Sequence, residues 1–128
     1  MWNAAAEEAT KDKVALCPVV YVTQVPNRRD KATGVMTPAV NISPATEHGD
    51  IKILMPPSAS FFATADLVSQ LRTGLRDYDF DKGDSVVCLG DPAVIATVGA
   101  ILSQKNKSFS VLRWDKSVAR YVKIKITV

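Results

Sequence analysis

Apolar and polar positions along the chain follow two rhythms, one with a period of two residues and one near 3.6. Val14 to Val25 is dense in β-branched residues and reads as a first strand, which Pro18 pushes to start after it, near Val19. Pro26 to Gly34 has the proline, asparagine, alternating charge and glycine of an exposed connection, and Val35 to Ile42 offers a weaker strand limited by Pro38. Together they predict an N-terminal β-hairpin with a basic tip at Arg28, Arg29 and Lys31. Ser43 to Asp50 reads as a loop or single helical turn. Ile51 to Met55 is a short apolar strand stopped by Pro56-Pro57, after which Phe61 and Phe62 are expected across the core. Thr64 suits an N-cap, and Leu67, Val68, Leu71 and Leu75 recur at three- and four-residue spacing, predicting an amphipathic helix over about 65–78.

The stretch Ser85 to Asn106 organises the rest. Ser85 to Leu89 is a buried-type strand, Gly90-Asp91-Pro92 a tight turn, and a helix rich in alanine, valine and isoleucine follows. Asp91 suits the N-cap and Pro92 the first helical position, so strand becomes helix within three residues. Almost every side chain from Pro92 to Leu102 is apolar or small, so this helix is expected to have little exposed surface, with Gly99 at a close-packing contact. Ser108 to Trp114 is a further strand. Arg120 to Val128 alternates, with Val122, Ile124, Ile126 and Val128 expected on a buried face and Tyr121, Lys123, Lys125 and Thr127 on the other.

This order predicts an α/β single domain: a mixed sheet with two right-handed βαβ crossovers, an N-terminal β-hairpin and a C-terminal antiparallel β-hairpin. The crossovers make parallel neighbours of the strands at 51–55, 85–89 and 108–114. Residues 1–13, small and charged, are expected to form a flexible leader before a domain at 14–128.

Composition narrows the function classes. With 128 residues, 47% hydrophobic and 23% charged, the chain has room for one core and no more. The net charge of +3 is too small to imply a nucleic-acid partner alone, but it is unevenly spread. From Lys105 onward seven basic residues face one acid, Asp115, whereas Asp77 to Asp91 holds five acids. Cys17 and Cys88, far apart and outside any Cys-x-x-Cys pattern, read as two structural thiols of a reducing compartment. No apolar run approaches a bilayer span, and the N-terminus lacks the basic start and apolar centre of an export signal, so no membrane role is expected.

Candidate chemistry is sparse. The Gly90-Asp91 turn lies where open α/β sheets bind ligands, at the carboxyl end of a strand, yet a carboxylate there repels phosphate and the N-cap role explains Asp91. Asp77, Asp79, Asp81 and Asp84 resemble the opening of a calcium loop. The template fails, because glycine falls at Gly83 and Cys88 stands where a bidentate glutamate is required, so solvated loop acids are expected. His48, the only histidine, has no partner pattern for a histidine metal site or a catalytic triad. No metal, cofactor or catalytic residue is therefore assigned. The C-terminal hairpin mixes cations with aromatics at Arg113, Trp114, Lys116, Arg120, Tyr121, Lys123 and Lys125, the ingredients of phosphate contacts and base stacking. The same residues also suit a solvated sheet face whose lysines discourage edge pairing.

Four short motifs carry a resemblance: Thr23-Gln24-Val25-Pro26, Leu54-Met55-Pro56-Pro57, Gly90-Asp91-Pro92 and Leu112-Arg113-Trp114-Asp115. Across residues 18–128 the chain resembles small accessory proteins of tailed bacteriophages. The resemblance implies a protein made in the cytoplasm of an infected bacterium, and no activity travels with it. The expected function is a non-enzymatic binding module whose basic C-terminal hairpin meets nucleic acid or a host protein. Two alternatives stand beside it: a small-molecule or nucleotide-binding Rossmann-like protein using Gly90 and Asp91, and an oligomeric structural subunit that assembles through an edge strand.

Overall fold

A computed structural model describes residues 17–57 and 64–128. The leader at 1–13 and the placement of Phe61 and Phe62 lie outside the described residues. The strands are β1 (Val19–Gln24), β2 (Asn27–Arg29), β3 (Met36–Pro38), β4 (Asp50–Met55), β5 (Ser85–Val87), β6 (Ser108–Asp115) and β7 (Arg120–Thr127). A 3-10 helix, η1 (Ser43–His48), precedes β4; the α-helices are α1 (Thr64–Gly74) and α2 (Pro92–Lys105). Five strands form one sheet in the order β4-β1-β5-β6-β7, and β2 and β3 form a separate two-stranded ribbon.

The sheet is mixed, as the α/β reading requires. β1 pairs parallel with β4 and β5, β5 parallel with β6, and β6 antiparallel with β7. Two expectations change. The N-terminal hairpin is made by Asn27–Arg29 and Met36–Pro38, not by Val19–Val25 folding back on Val35–Ile42. β1 instead enters the sheet centre, where it also separates β4 from β5, so the strands at 51–55 and 85–89 are not neighbours. The cause is burial on both faces: Tyr21 joins one apolar cluster while Val20 and Val22 join the other. A run apolar on both faces suits a central parallel strand better than a hairpin arm.

On one face, α1 and α2 bury Leu67, Leu71, Val94, Val98 and Leu102 against Tyr21, Val86 and Phe109. The other face is covered more thinly, with Ala45 of η1 meeting Val20, Val22, Val87, Leu112 and Tyr121. The Asp91 N-cap is formed as read, its Oδ1 accepting from the Ala93 amide at 2.8 Å with Pro92 at the first position. α2 is more one-sided than its composition implies: Ala93, Ala96 and Ala100 are exposed. Gly99 is no packing contact, because a Cβ there would meet nothing within 4 Å. α1 ends at Gly74, short of the expected 78. Its C-terminal carbonyls are collected by lysines from neighbouring elements, Lys52 Nζ on Gly74 O at 2.8 Å and Lys105 Nζ on Leu75 O at 2.9 Å.

The acids at 77–84 also differ from the sequence reading. Asp84 is fully buried rather than solvated. Its Oδ1 accepts from the Val19 amide at 2.8 Å, its Oδ2 from the Asp79 amide at 3.0 Å, and Lys82 Nζ lies 3.7 Å away. Among the described residues no cluster of His, Cys, Asp and Glu is placed to hold a metal. Both cysteines are exposed, so neither is a packed core thiol. Val20 lies opposite Ser85, so Cys88 falls level with Thr23, on the order of 20 Å along the strands from Cys17 and beyond disulfide reach.

Candidate interaction surface

Numbering the five sheet strands by chain order gives 2-1-3-4-5, an arrangement in which ligands usually sit between the ends of the first and third strands. Here that position is filled by the protein itself. Gln24 Nε2 donates to Pro56 O at 2.8 Å, while its Oε1 accepts from the Asp91 amide at 2.9 Å. Thr23 Oγ1 accepts from the Leu89 amide at 2.7 Å and donates back to Leu89 O at 2.5 Å. Gly90, at φ +85°, brings its backbone so close that any Cβ would collide with the Gln24 side chain. The amides of Asp91 and Ala93, which an anion at this turn would use, are both occupied.

The C-terminal hairpin is built on a complete ladder from Ser108 opposite Thr127 to Asp115 opposite Arg120. Its turn is held by Asp115, whose Oδ1 accepts from the Ser117 hydroxyl at 2.6 Å and the Ser117 amide at 2.9 Å. Those bonds hold the Asp115 carboxyl below its usual value. Trp114 packs edge-on against Tyr121 across the ladder, with centroids 5.1 Å apart. Tyr121 is buried while Trp114 stays 41% exposed. Burial raises the Tyr121 hydroxyl above its ordinary value.

The seven hairpin residues singled out by composition do not form one cationic patch. Arg120 donates to both carboxylate oxygens of Glu47, at 2.9 and 3.2 Å, and this contact pushes the Glu47 carboxyl down and the guanidinium up. Lys123 Nζ donates to Gly83 O at 3.0 Å, and Lys125 Nζ lies 5.6 Å from the Phe80 ring centroid. Gly83 and Phe80 precede β5, so these two lysines lean toward the amino ends of the parallel strands. Arg113, Trp114 and Lys116 sit at the carboxyl end of β6 instead. There an open groove of about 500 Å³ runs past Val40, Asn41, Leu89, Leu112, Trp114 and Tyr121. The β2–β3 ribbon leaves the carboxyl end of β1 and carries exposed Arg28, Arg29 and Lys31.

β7 has no buried apolar face, contrary to the sequence reading, because every residue of the strand except Tyr121 is exposed. Val122, Ile124 and Ile126 are 41%, 37% and 37% exposed, and Val128 is 77% exposed, whereas Tyr121 of the opposite face is buried. The reason is lateral position: α1 and α2 pack on the sheet from β4 to β6, β7 is its last strand, and η1 reaches only the start of β7, on the opposite face. The alternation of β7 is legible in sequence, but its outermost place in the sheet is not. At its start the strand is tied to η1, where His48 Nε2 donates to Tyr121 O at 2.9 Å.

No helix of the described residues is long and apolar enough to cross a membrane. Comparisons with curated proteins and with solved structures give no match. A family model does match, across the sheet, both helices and the hairpin just described, over residues 18–128. On that match the chain belongs to the phage family described as Phage Pam3 gp32-like protein.

Proposed function

We propose that this phage protein is a non-enzymatic binding module of the infected bacterial cytoplasm whose β6–β7 hairpin docks a protein partner. The observation that carries this reading is the edge strand β7: eight residues long, with an apolar row at Val122, Ile124 and Ile126 left exposed. A long edge strand with an exposed apolar face is a liability unless something covers it. The filled crevice at Gln24, Gly90 and Asp91 gives the small-molecule alternative less support, since its donors already have partners.

Affinity purification of the tagged chain from infected cells, with wild type beside Ile124→Glu, tests the docking reading. A defined protein should accompany the wild type and be lost with the variant, while circular dichroism shows the variant folded. Recovery of the same protein by both forms contradicts it.

Nucleic acid is the second reading, favoured by exposed Trp114 beside Arg113 and Lys116 and by the exposed cations of the β2–β3 ribbon. Titration of short DNA and RNA at low and physiological salt separates the two. Binding of micromolar strength that falls steeply with salt supports the second, and absence of binding at low salt removes it.

A further inference from the structure

Strand β7 offers its outer edge unequally along its length. The Val128 amide donates to Lys107 O at 2.8 Å, which fixes the even-numbered residues of β7 as those bonded to β6. The backbone groups of Tyr121, Lys123, Lys125 and Thr127 therefore point away from the sheet. His48 already occupies the carbonyl of Tyr121. Among the described residues, nothing pairs with the edge from Lys123 to Thr127, where three residues turn both amide and carbonyl outward.

The side chains along that edge specify what such a strand must carry. On one face it meets the apolar row Val122, Ile124 and Ile126; on the other it meets the exposed Lys123 and Lys125, whose ammonium groups reach the Gly83 carbonyl and the Phe80 ring and keep further donors for an acid. A second copy of β7 fits poorly. Any antiparallel self-pairing that joins three or more outward-facing residues sets at least one lysine directly opposite a lysine, and like charges in that position are destabilising. An alternating apolar and acidic strand satisfies both faces at once.

We infer that β7 accepts, by β-strand addition, an extended segment of a partner protein in which acidic residues alternate with apolar ones, the acids lying beside Lys123 and Lys125. The inference rests on the docking role proposed for β7 and adds the chemistry of the partner. Lysine on this edge thus excludes the chain's own copies and selects an acidic strand, the repulsive and the attractive halves of one specificity device.

The test uses the full chain and two synthetic nine-residue peptides of alternating valine with glutamate or with lysine, titrated by fluorescence anisotropy. Wild type should prefer the glutamate peptide by about tenfold or more, and Lys123→Glu/Lys125→Glu should reverse the preference. Thr127→Pro, which removes an outward amide and leaves the β6–β7 ladder bonds in place, should weaken the glutamate peptide without unfolding the protein. If the charge-swapped variant fails to fold, the Thr127→Pro result and the wild-type preference still decide. Equal binding of both peptides overturns the charge selection and leaves edge docking standing. Binding of neither peptide overturns the inference. A wild-type dimer dispersed by Ile124→Glu also overturns it, in favour of a second copy on the same edge.

Discussion

Asp84 shows how one side chain can fix an end of the sheet. Its carboxylate accepts the first amide of β1 and the Asp79 amide, and its own carbonyl accepts the Tyr78 hydroxyl at 3.2 Å. Removing the carboxylate takes the partner from two part-buried amides, so Asp84→Ala should cost about 1–3 kcal/mol, read as a shift of the urea unfolding midpoint. An unchanged midpoint contradicts the role. Local composition made Asp84 look like its solvated neighbours. What separates it is an amide 65 positions away, which no spacing rule within the loop reveals. Gly99 is the opposite case, a glycine read as a packing contact that has open space around it. Gly99→Ala should therefore raise stability by about 0.5–1 kcal/mol, and a loss in the same unfolding experiment would show a hidden contact. Tyr21, buried at the sheet centre, has its hydroxyl pushed up to about 12 by burial first and then by the nearby charges of Asp84 and Asp77. The folded state thus holds a proton that the unfolded chain gives up from its ordinary value of 10.0 upward. Its contribution is intact below pH 10 and is lost progressively as pH rises toward 12. Tyr21→Phe should flatten that part of the alkaline decline in thermal midpoint, and an identical decline in both proteins would refute the assignment.

Among the elements, the start of α2 is legible in the sequence, because Asp91 and Pro92 act on the backbone within two residues, while β5 ends at Val87 rather than at Leu89. The sequence of β1 predicts a strand, but its neighbours are β4 and β5 rather than a hairpin partner. Its residues state that both faces are buried; they do not state against which strands. The same limit applies to β7. A period of two tells which residues share a face, whereas exposure depends on whether a helix reaches across that strand, and α2 does not. The hairpin cations divide for a related reason. Arg120 meets Glu47 of η1 and Lys123 meets a carbonyl before β5, contacts that join segments distant in sequence. Reading the hairpin as one basic surface treated as equivalent several cations that have different partners.

Across the molecule, the sheet has two contrasting limits. Its carboxyl end at the first and third strands is closed by Gln24, Thr23 and Asp91, while its β7 side is open, apolar on one face and cationic on the other. Internal polar satisfaction at one place and unpartnered backbone at another argue for recognition along an edge rather than ligand capture in a crevice. The most direct measurement is amide hydrogen exchange on the isolated chain and on the same chain in complexes recovered from infected cells. Partner docking on the β7 edge requires fast exchange at Lys123, Lys125 and Thr127 in the free protein and strong protection of those amides in the complex. Exchange that is equally fast in both, with protection appearing at the β2–β3 ribbon or around Trp114 instead, would contradict it.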